Sequence, residues 1–166
     1  MKPHPDLATW ERLLPHVREL QKLAAKHGIN DVFRDNGGKL LQIALTTGLT
    51  VIGAREGNDA RDEAGREYEL KSVNTLLTDS ISTHHHLNPT ILAKYRRVDW
   101  VFAFYRSIEL TSIYLMQPTQ LEPLFSKWEA QWHQRGGRDI NNPKIPGKFV
   151  RANGELAYSS TRDPPT

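Results

Sequence analysis

Cysteine is absent from the 166 residues, which excludes a disulfide scaffold, a thiolate zinc site and a cysteine nucleophile, and fits a reducing compartment. No apolar run approaches the length of a membrane span, and the start, Met1-Lys-Pro-His-Pro5, has no signal-peptide core. An intracellular protein is the expectation. Repeats and low-complexity blocks are missing too, so residues 1–166 are expected to form one domain. A strong charge of one sign is also lacking. The 22 Lys and Arg against 19 Asp and Glu leave a net charge of +3, which permits a polyanionic partner without requiring one. Its distribution says more. Lys94, Arg96, Arg97, Arg106, Arg135, Arg138, Lys144, Lys148 and Arg151 load the second half with base, while acids concentrate between Glu56 and Glu69.

What is present alternates between helix and strand signals. Leu7, Trp10, Leu13, Leu14, Val17, Leu20, Leu23 and Ala24 recur at helical spacing, with Pro15 expected to kink or divide the helix and Gly28 to stop it. A second helix is expected after Asp35-Asn-Gly-Gly38, running to Gly48. Its Gly-Gly-Lys is not a phosphate loop, because Phe33 stands where a Walker motif needs a further glycine. Thr50 to Ile52 predicts a short strand, and Thr78 to His86 a loop. Asn88 and Pro89 cap a helix reaching about Arg97. The apolar run Val98 to Tyr105 predicts a central strand buried on both faces, with Ile108 to Leu115 beside it. Thr119 to Glu122 reads as a capping box before a helix whose stripe is Leu121, Leu124, Phe125, Trp128 and Trp132. Asp139 to Pro146 is expected to be an extended loop, and Asn153-Gly154 the turn of a C-terminal hairpin. Residues 159–166 read as a disordered tail. Together these predict an α/β (α+β) fold, a mixed central β-sheet flanked by helices with one added hairpin.

The stretch from Asn58 to Lys71 carries the chemistry. Glu67 to Ser72 alternates in polarity, so Glu69 and Lys71 share one face of a strand while Tyr68 and Leu70 fill the other. Asp62 to Arg66 reads as a turn that brings Asp59 back alongside Glu69. Two carboxylates there suit a hard divalent cation such as Mg²⁺, which polarises phosphate and lowers the pKa of water. On spacing alone the same three residues also describe a solvated strand face.

Ser82-Thr-His-His-His86 is the second unusual stretch. Adjacent histidines point apart and rarely share one metal ion, and a solvated polar loop is the plain reading. In a DNA-binding protein, histidine instead offers an N–H to guanine, and Asn141 and Asn142 suit adenine. Asp35 could accept from the guanine amino group in the minor groove, or simply cap the helix after it.

HGINDVFRDNGGKLLQ from His27, REGNDA from Arg55, EYELKSVN from Glu67, STHHHLNP from Ser82, AKYR from Ala93 and DINNPKIP from Asp139 together resemble the PvuII-type restriction endonucleases, within the PD-(D/E)xK nuclease superfamily. The likeness spans nearly the whole chain. It implies a restriction-endonuclease-like core. It implies that Asp59 and Glu69 ligate Mg²⁺ with the Leu70 carbonyl, that Lys71 positions or deprotonates water, and that Glu56 and Tyr95 lie near the site. By the same likeness His85, His86, Asn141 and Asn142 read bases in the major groove. Asp35 approaches from the minor groove, and Ser82, Thr83 and His84 support the readers or touch the DNA backbone. The N-terminal helix becomes chiefly a dimer element, and a homodimer matches a palindromic site, here CAGCTG cut to blunt ends. A cognate DNA methyltransferase encoded elsewhere and a bacterial cytoplasmic location are implied as well. The chain departs from the superfamily pattern in having Asn58-Asp59 for Pro-Asp, and from the family in having Gly53-Ala54 for Pro-Gly and a longer tail. Two other readings of these residues are a DNA-binding protein with a vestigial acidic triad and a repair or junction nuclease on the same core.

Overall fold

The computed structural model describes residues 6–34, 36–52 and 59–161. Asp35, Glu56 and Asn58, and the tail beyond Thr161, lie outside the described residues. The order of elements is α1 (Leu7–Lys26), α2 (Gly37–Thr47), β1 (Thr50–Val51), β2 (Ala60–Arg61), β3 (Glu67–Asn74), β4 (Ser80–Ser82), α3 (Pro89–Tyr95), β5 (Asp99–Arg106), β6 (Glu109–Met116), α4 (Pro118–Gln134), β7 (Lys144–Pro146), α5 (Gly147–Asn153) and β8 (Glu155–Ser159).

β5 is the centre, as its unbroken apolar run dictates. A strand with Trp100, Phe102 and Phe104 on one face and Val101, Ala103 and Tyr105 on the other must be covered twice. Trp100, Phe102 and Phe104 pack with Leu92 and Tyr95 of α3, with Leu121, Phe125 and Trp128 of α4, and with Ile145 and Val150. The opposite face packs with Leu70 of β3, Ile43 of α2 and Ile113 of β6. Around it lies a six-stranded sheet in the order β1-β2-β3-β5-β6-β8. Only β3 and β5 run parallel, with Lys71 opposite Phe102, and the other neighbours are antiparallel. The expected mixed sheet with flanking helices is therefore present. Asn88 caps α3 as expected, accepting from the Ile91 N–H at 3.1 Å, and Gly48 ends α2 in the left-handed conformation.

Five expectations are corrected. Pro15 does not divide α1, which runs on as one helix; Glu11, whose carbonyl has no N–H partner at Pro15, is an exposed residue. α4 is capped two residues earlier than the apparent capping box, by Gln117 instead of Thr119, with Gln120 Oε1 accepting from the Gln117 N–H at 2.7 Å. Residues 78–86 and 139–146 are not plain loops, because β4 and β7 pair as a separate two-stranded sheet, Ile81 opposite Ile145. The C-terminal hairpin does not form. Gly147–Asn153 is helix α5, which buries Gly147 and Val150 one turn apart, and β8 pairs with β6 instead. Asn153-Gly154 ends a helix rather than joining two strands. Of the expected tail, Ser159 is the last residue of β8 and the Ser160 N–H donates to the Thr111 carbonyl at 2.8 Å. No helix of the described residues is long and apolar enough to cross a membrane.

Candidate functional site

The turn between β2 and β3 brings Asp59 to Glu69. Arg66 donates to Asp62 through both its backbone N–H and Nε at 2.9 Å, the Tyr68 hydroxyl donates to the same carboxylate at 3.1 Å, and Gly65 takes the positive φ, 82°, that the turn requires. β2 is only two residues long and meets β3 just at Glu67 and Tyr68. Where that pairing stops, the Asp59 side chain takes over, its Oδ2 accepting from the Leu70 N–H at 2.8 Å. The outer edge of β3 is thus handed from a strand to a carboxylate.

Glu69 faces the aromatic core and is 9% exposed. Burial pushes its carboxyl above the usual range, the Asp59 charge adds to the rise, and Lys71 opposes it. Lys71 Nζ donates to Glu69 Oε1 and stands 5.9 Å from the centre of the Trp100 ring. Tyr95 is buried beside this pair, packed edge-on against Trp100 at 4.6 Å. Burial, and then the charges of Glu69 and Asp59, drive its hydroxyl well above the ordinary tyrosine value, so it stays protonated. The Trp100 Nε1–H donates to the Tyr95 carbonyl at 3.2 Å and fixes the end of α3 here. Among the described residues no three His, Asp or Glu side chains cluster as metal ligands. Two carboxylates, one of them dry and destabilised as an anion, nevertheless fit Mg²⁺, which takes one or two carboxylates and completes its shell with water and substrate oxygens.

Outside Asp59 and Leu70 lies a cleft of about 320 Å³ lined by Asn36, Lys39, Leu40, Ile43, Asp59, Leu70, Lys71, Ser72, Ser82 and Thr83. One wall is the start of α2 and the other the end of β4. Beyond that wall, residues 80–87 and 140–146 form a ribbon. Leu87 and Ile140 exchange backbone hydrogen bonds at 3.0 and 2.9 Å, and the Asn142 N–H donates to the His84 carbonyl at 3.0 Å. Thr83 donates its N–H to Asn142 Oδ1 at 3.0 Å and its hydroxyl to the Pro143 carbonyl at 2.6 Å. Lys144 Nζ donates to Ser82 Oγ at 2.8 Å. His85 Nδ1 lies 3.4 Å from Asn141 Oδ1, and His84 Nδ1 accepts from the His86 N–H at 3.0 Å. His85, His86 and Asn141 are exposed on it. A two-stranded ribbon is an element the DNA major groove admits.

Residues 5–158 match the family model of restriction endonuclease PvuII. The chain belongs to that family. It is a type II restriction endonuclease, a site-specific deoxyribonuclease, and it binds DNA. Of the residues singled out in the sequence, the structure gathers Asp59, Glu69, Leu70, Lys71 and Tyr95 at one place. It gathers Ser82, Thr83, His84, His85, His86, Asn141 and Asn142 at another, and Ser82 and Thr83 reach the cleft between them. Asn142 spends its carbonyl oxygen on Thr83, and its amide N–H groups have no hydrogen-bond partner among the described residues. Trp100, Lys39 and Ser72 were not singled out. Ser72 follows Lys71 directly, but Lys39 lies 32 positions away and only the cleft relates it to the site.

Proposed function

We propose that this restriction endonuclease cuts DNA with Mg²⁺, as a homodimer acting on the palindrome CAGCTG and leaving blunt ends. The observation that carries this reading is the cleft in which Asp59 and Lys71 line the same space as Ser82 and Thr83 of the ribbon, since it joins a group able to act on phosphate to a surface able to read bases. Restriction endonucleases of this kind are generally metal-dependent. Asp59 and Glu69, with the Leu70 carbonyl, are the residues that would hold the cation, which supplies polarisation of the phosphate and acidification of water. Lys71, hydrogen-bonded to Glu69, stabilises charge developing on the phosphate oxygens and orients the attacking water. Tyr95, protonated throughout the neutral range, contributes a hydroxyl dipole beside the carboxylates and a wall that excludes solvent. Glu56 is assigned to the loop beside the site.

On the reading side, His85, His86, Asn141 and Asn142 donate to base edges in the major groove, and Asp35 approaches from the minor groove. Ser82, Thr83 and His84 fix the ribbon and touch the backbone. The whole of residues 1–166 acts as one endonuclease domain, in the bacterial cytoplasm. A methyltransferase of the same specificity protects the host DNA.

The test is digestion of a mapped plasmid with Mg²⁺ or EDTA, followed by sequencing of the ends. Wild type should give discrete blunt fragments at CAGCTG only with Mg²⁺. Asp59→Ala and Lys71→Ala should lower the rate by about 10³-fold or more, the scale of losing one electrostatic stabiliser, and Lys71→Ala should still bind the site. A normal cutting rate in either variant would refute the assignment.

A further inference from the structure

The wall of the cleft opposite the ribbon holds a cation that this mechanism leaves unused. Lys39 stands in the first turn of α2, half-buried, on the same space as Asp59, Lys71, Ser72 and Ser82. Tyr105, a side chain with no exposed surface, fixes it twice. The Tyr105 hydroxyl donates to the Lys39 carbonyl at 2.8 Å, and Lys39 Nζ lies 5.2 Å from the centre of the ring. Lys39 pairs with no carboxylate among the described residues, whereas Lys71 is engaged by Glu69. A half-buried lysine with no counter-anion among the described residues, held in place by a buried ring, is prepared for an anion that arrives from outside. The anion this enzyme receives is the DNA backbone.

We propose that Lys39 binds a phosphate of the DNA strand within two nucleotides of the one that is cut. It would hold that strand across the outer edge of β3, so that the scissile phosphate meets Asp59 and Lys71. The proposal rests on the reading of Asp59, Glu69 and Lys71 as the cutting residues. Lysine suits the task because a phosphate bound as a point charge imposes no base preference and no rigid angle. Lys39 is thus a backbone clamp that adds affinity and position but no sequence information.

The experiment measures binding in EDTA, so that it does not depend on cutting. Duplexes containing the site found by end sequencing carry one neutral methylphosphonate, moved position by position, and are titrated with wild type, Lys39→Met and Lys39→Arg. Lys39→Met should bind about tenfold more weakly, and the slope of log affinity against log salt should fall by about 0.9 for each lost phosphate contact. Lys39→Arg should restore both. One methylphosphonate within two nucleotides of the cut should weaken wild type as much as Lys39→Met does, and should not weaken Lys39→Met further. An unchanged salt slope, no rescue by Lys39→Arg, or coupling only to a more distant phosphate would overturn the proposal. Full cutting by Asp59→Ala would overturn the active-site reading instead, and the binding data would stay as they are.

Discussion

Glu69 is kept nearly dry next to a second carboxylate, Asp59, with Lys71 as its direct cationic partner. Its carboxyl is raised above its ordinary value of 4.5, so the folded state holds the proton more tightly than the unfolded chain does. Stability from this group is complete below 4.5 and is lost as pH rises from there through the raised folded value. At neutral pH the ionised carboxylate is a cost to stability, which the metal-binding role proposed for it would explain. Glu69→Gln, the neutral isostere, is therefore expected to unfold at a higher urea concentration than wild type at pH 7 to 8 in EDTA. The difference should close as pH falls towards 4.5, while cutting is lost. A less stable variant at pH 8 would mean that the Lys71 contact outweighs desolvation. The shared face of Glu69 and Lys71 was legible in the sequence, because a strand has period two and Tyr68 and Leu70 mark its other side. The burial of Glu69 was not, since it depends on Tyr95 and Trp100 brought in from α3 and β5. Lys39 escaped for the same reason: its partner is an aromatic ring 66 positions away, and nothing local to Gly-Gly-Lys marks it.

Elements were legible where one local rule decided them. The apolar run of β5, the Asn88-Pro89 cap and the Asp62 to Arg66 turn came out as expected because each is settled within a few residues. The ribbon did not, since β4 and β7 are only three residues each and pair across more than sixty positions. α5 was misread for a different reason. Phe149 and Val150 suit a strand and Asn153-Gly154 suits a hairpin turn, yet the decisive contact is tertiary. The Gly147 N–H donates to the Asp79 carbonyl at 2.7 Å, and Arg151 of the same helix grips the Asp79 carboxylate with two bonds at 2.8 and 2.6 Å. This clasp ties the start of the ribbon to the helix. A Cβ at residue 147 would overlap that carboxylate, which Arg151 prevents from swinging aside. Gly147→Ala is expected to cost about 1–3 kcal/mol, the scale of overpacking a fitted contact, and to weaken specific binding more than non-specific binding. Urea unfolding and competition with site-free DNA measure the two effects. An unchanged urea midpoint would show that the clasp yields.

At the scale of the whole molecule, α1 is the element that the single chain leaves unfinished. It spans twenty residues but buries only Ala24, while Leu7, Trp10, Leu13, Leu20 and Leu23 remain 39–48% exposed. It is nonetheless anchored at its end. Gln21 accepts from the Val32 N–H at 3.0 Å and donates to the Asn30 carbonyl at 2.9 Å, and Ala24 packs with Ile29, Val32 and Leu41. A row of apolar side chains on an anchored helix is the signature of a partner surface. A second copy is the partner that the proposed action on a palindrome calls for, because a twofold axis would present both the ribbon and the cleft to each strand. Leu13 and Leu20 lie seven residues apart on one face, so Leu13→Glu with Leu20→Glu places four like charges in the dimer and none in the fold. Sedimentation should find wild type at twice the chain mass and the double variant at the chain mass, with far-ultraviolet circular dichroism unchanged. On supercoiled plasmid, wild type should convert circles directly to linear DNA. The variant should lose that conversion by at least about a hundredfold, the product of one missing half-site at 1–3 kcal/mol per lost base contact. A double variant that still sediments as a dimer would move the interface away from α1.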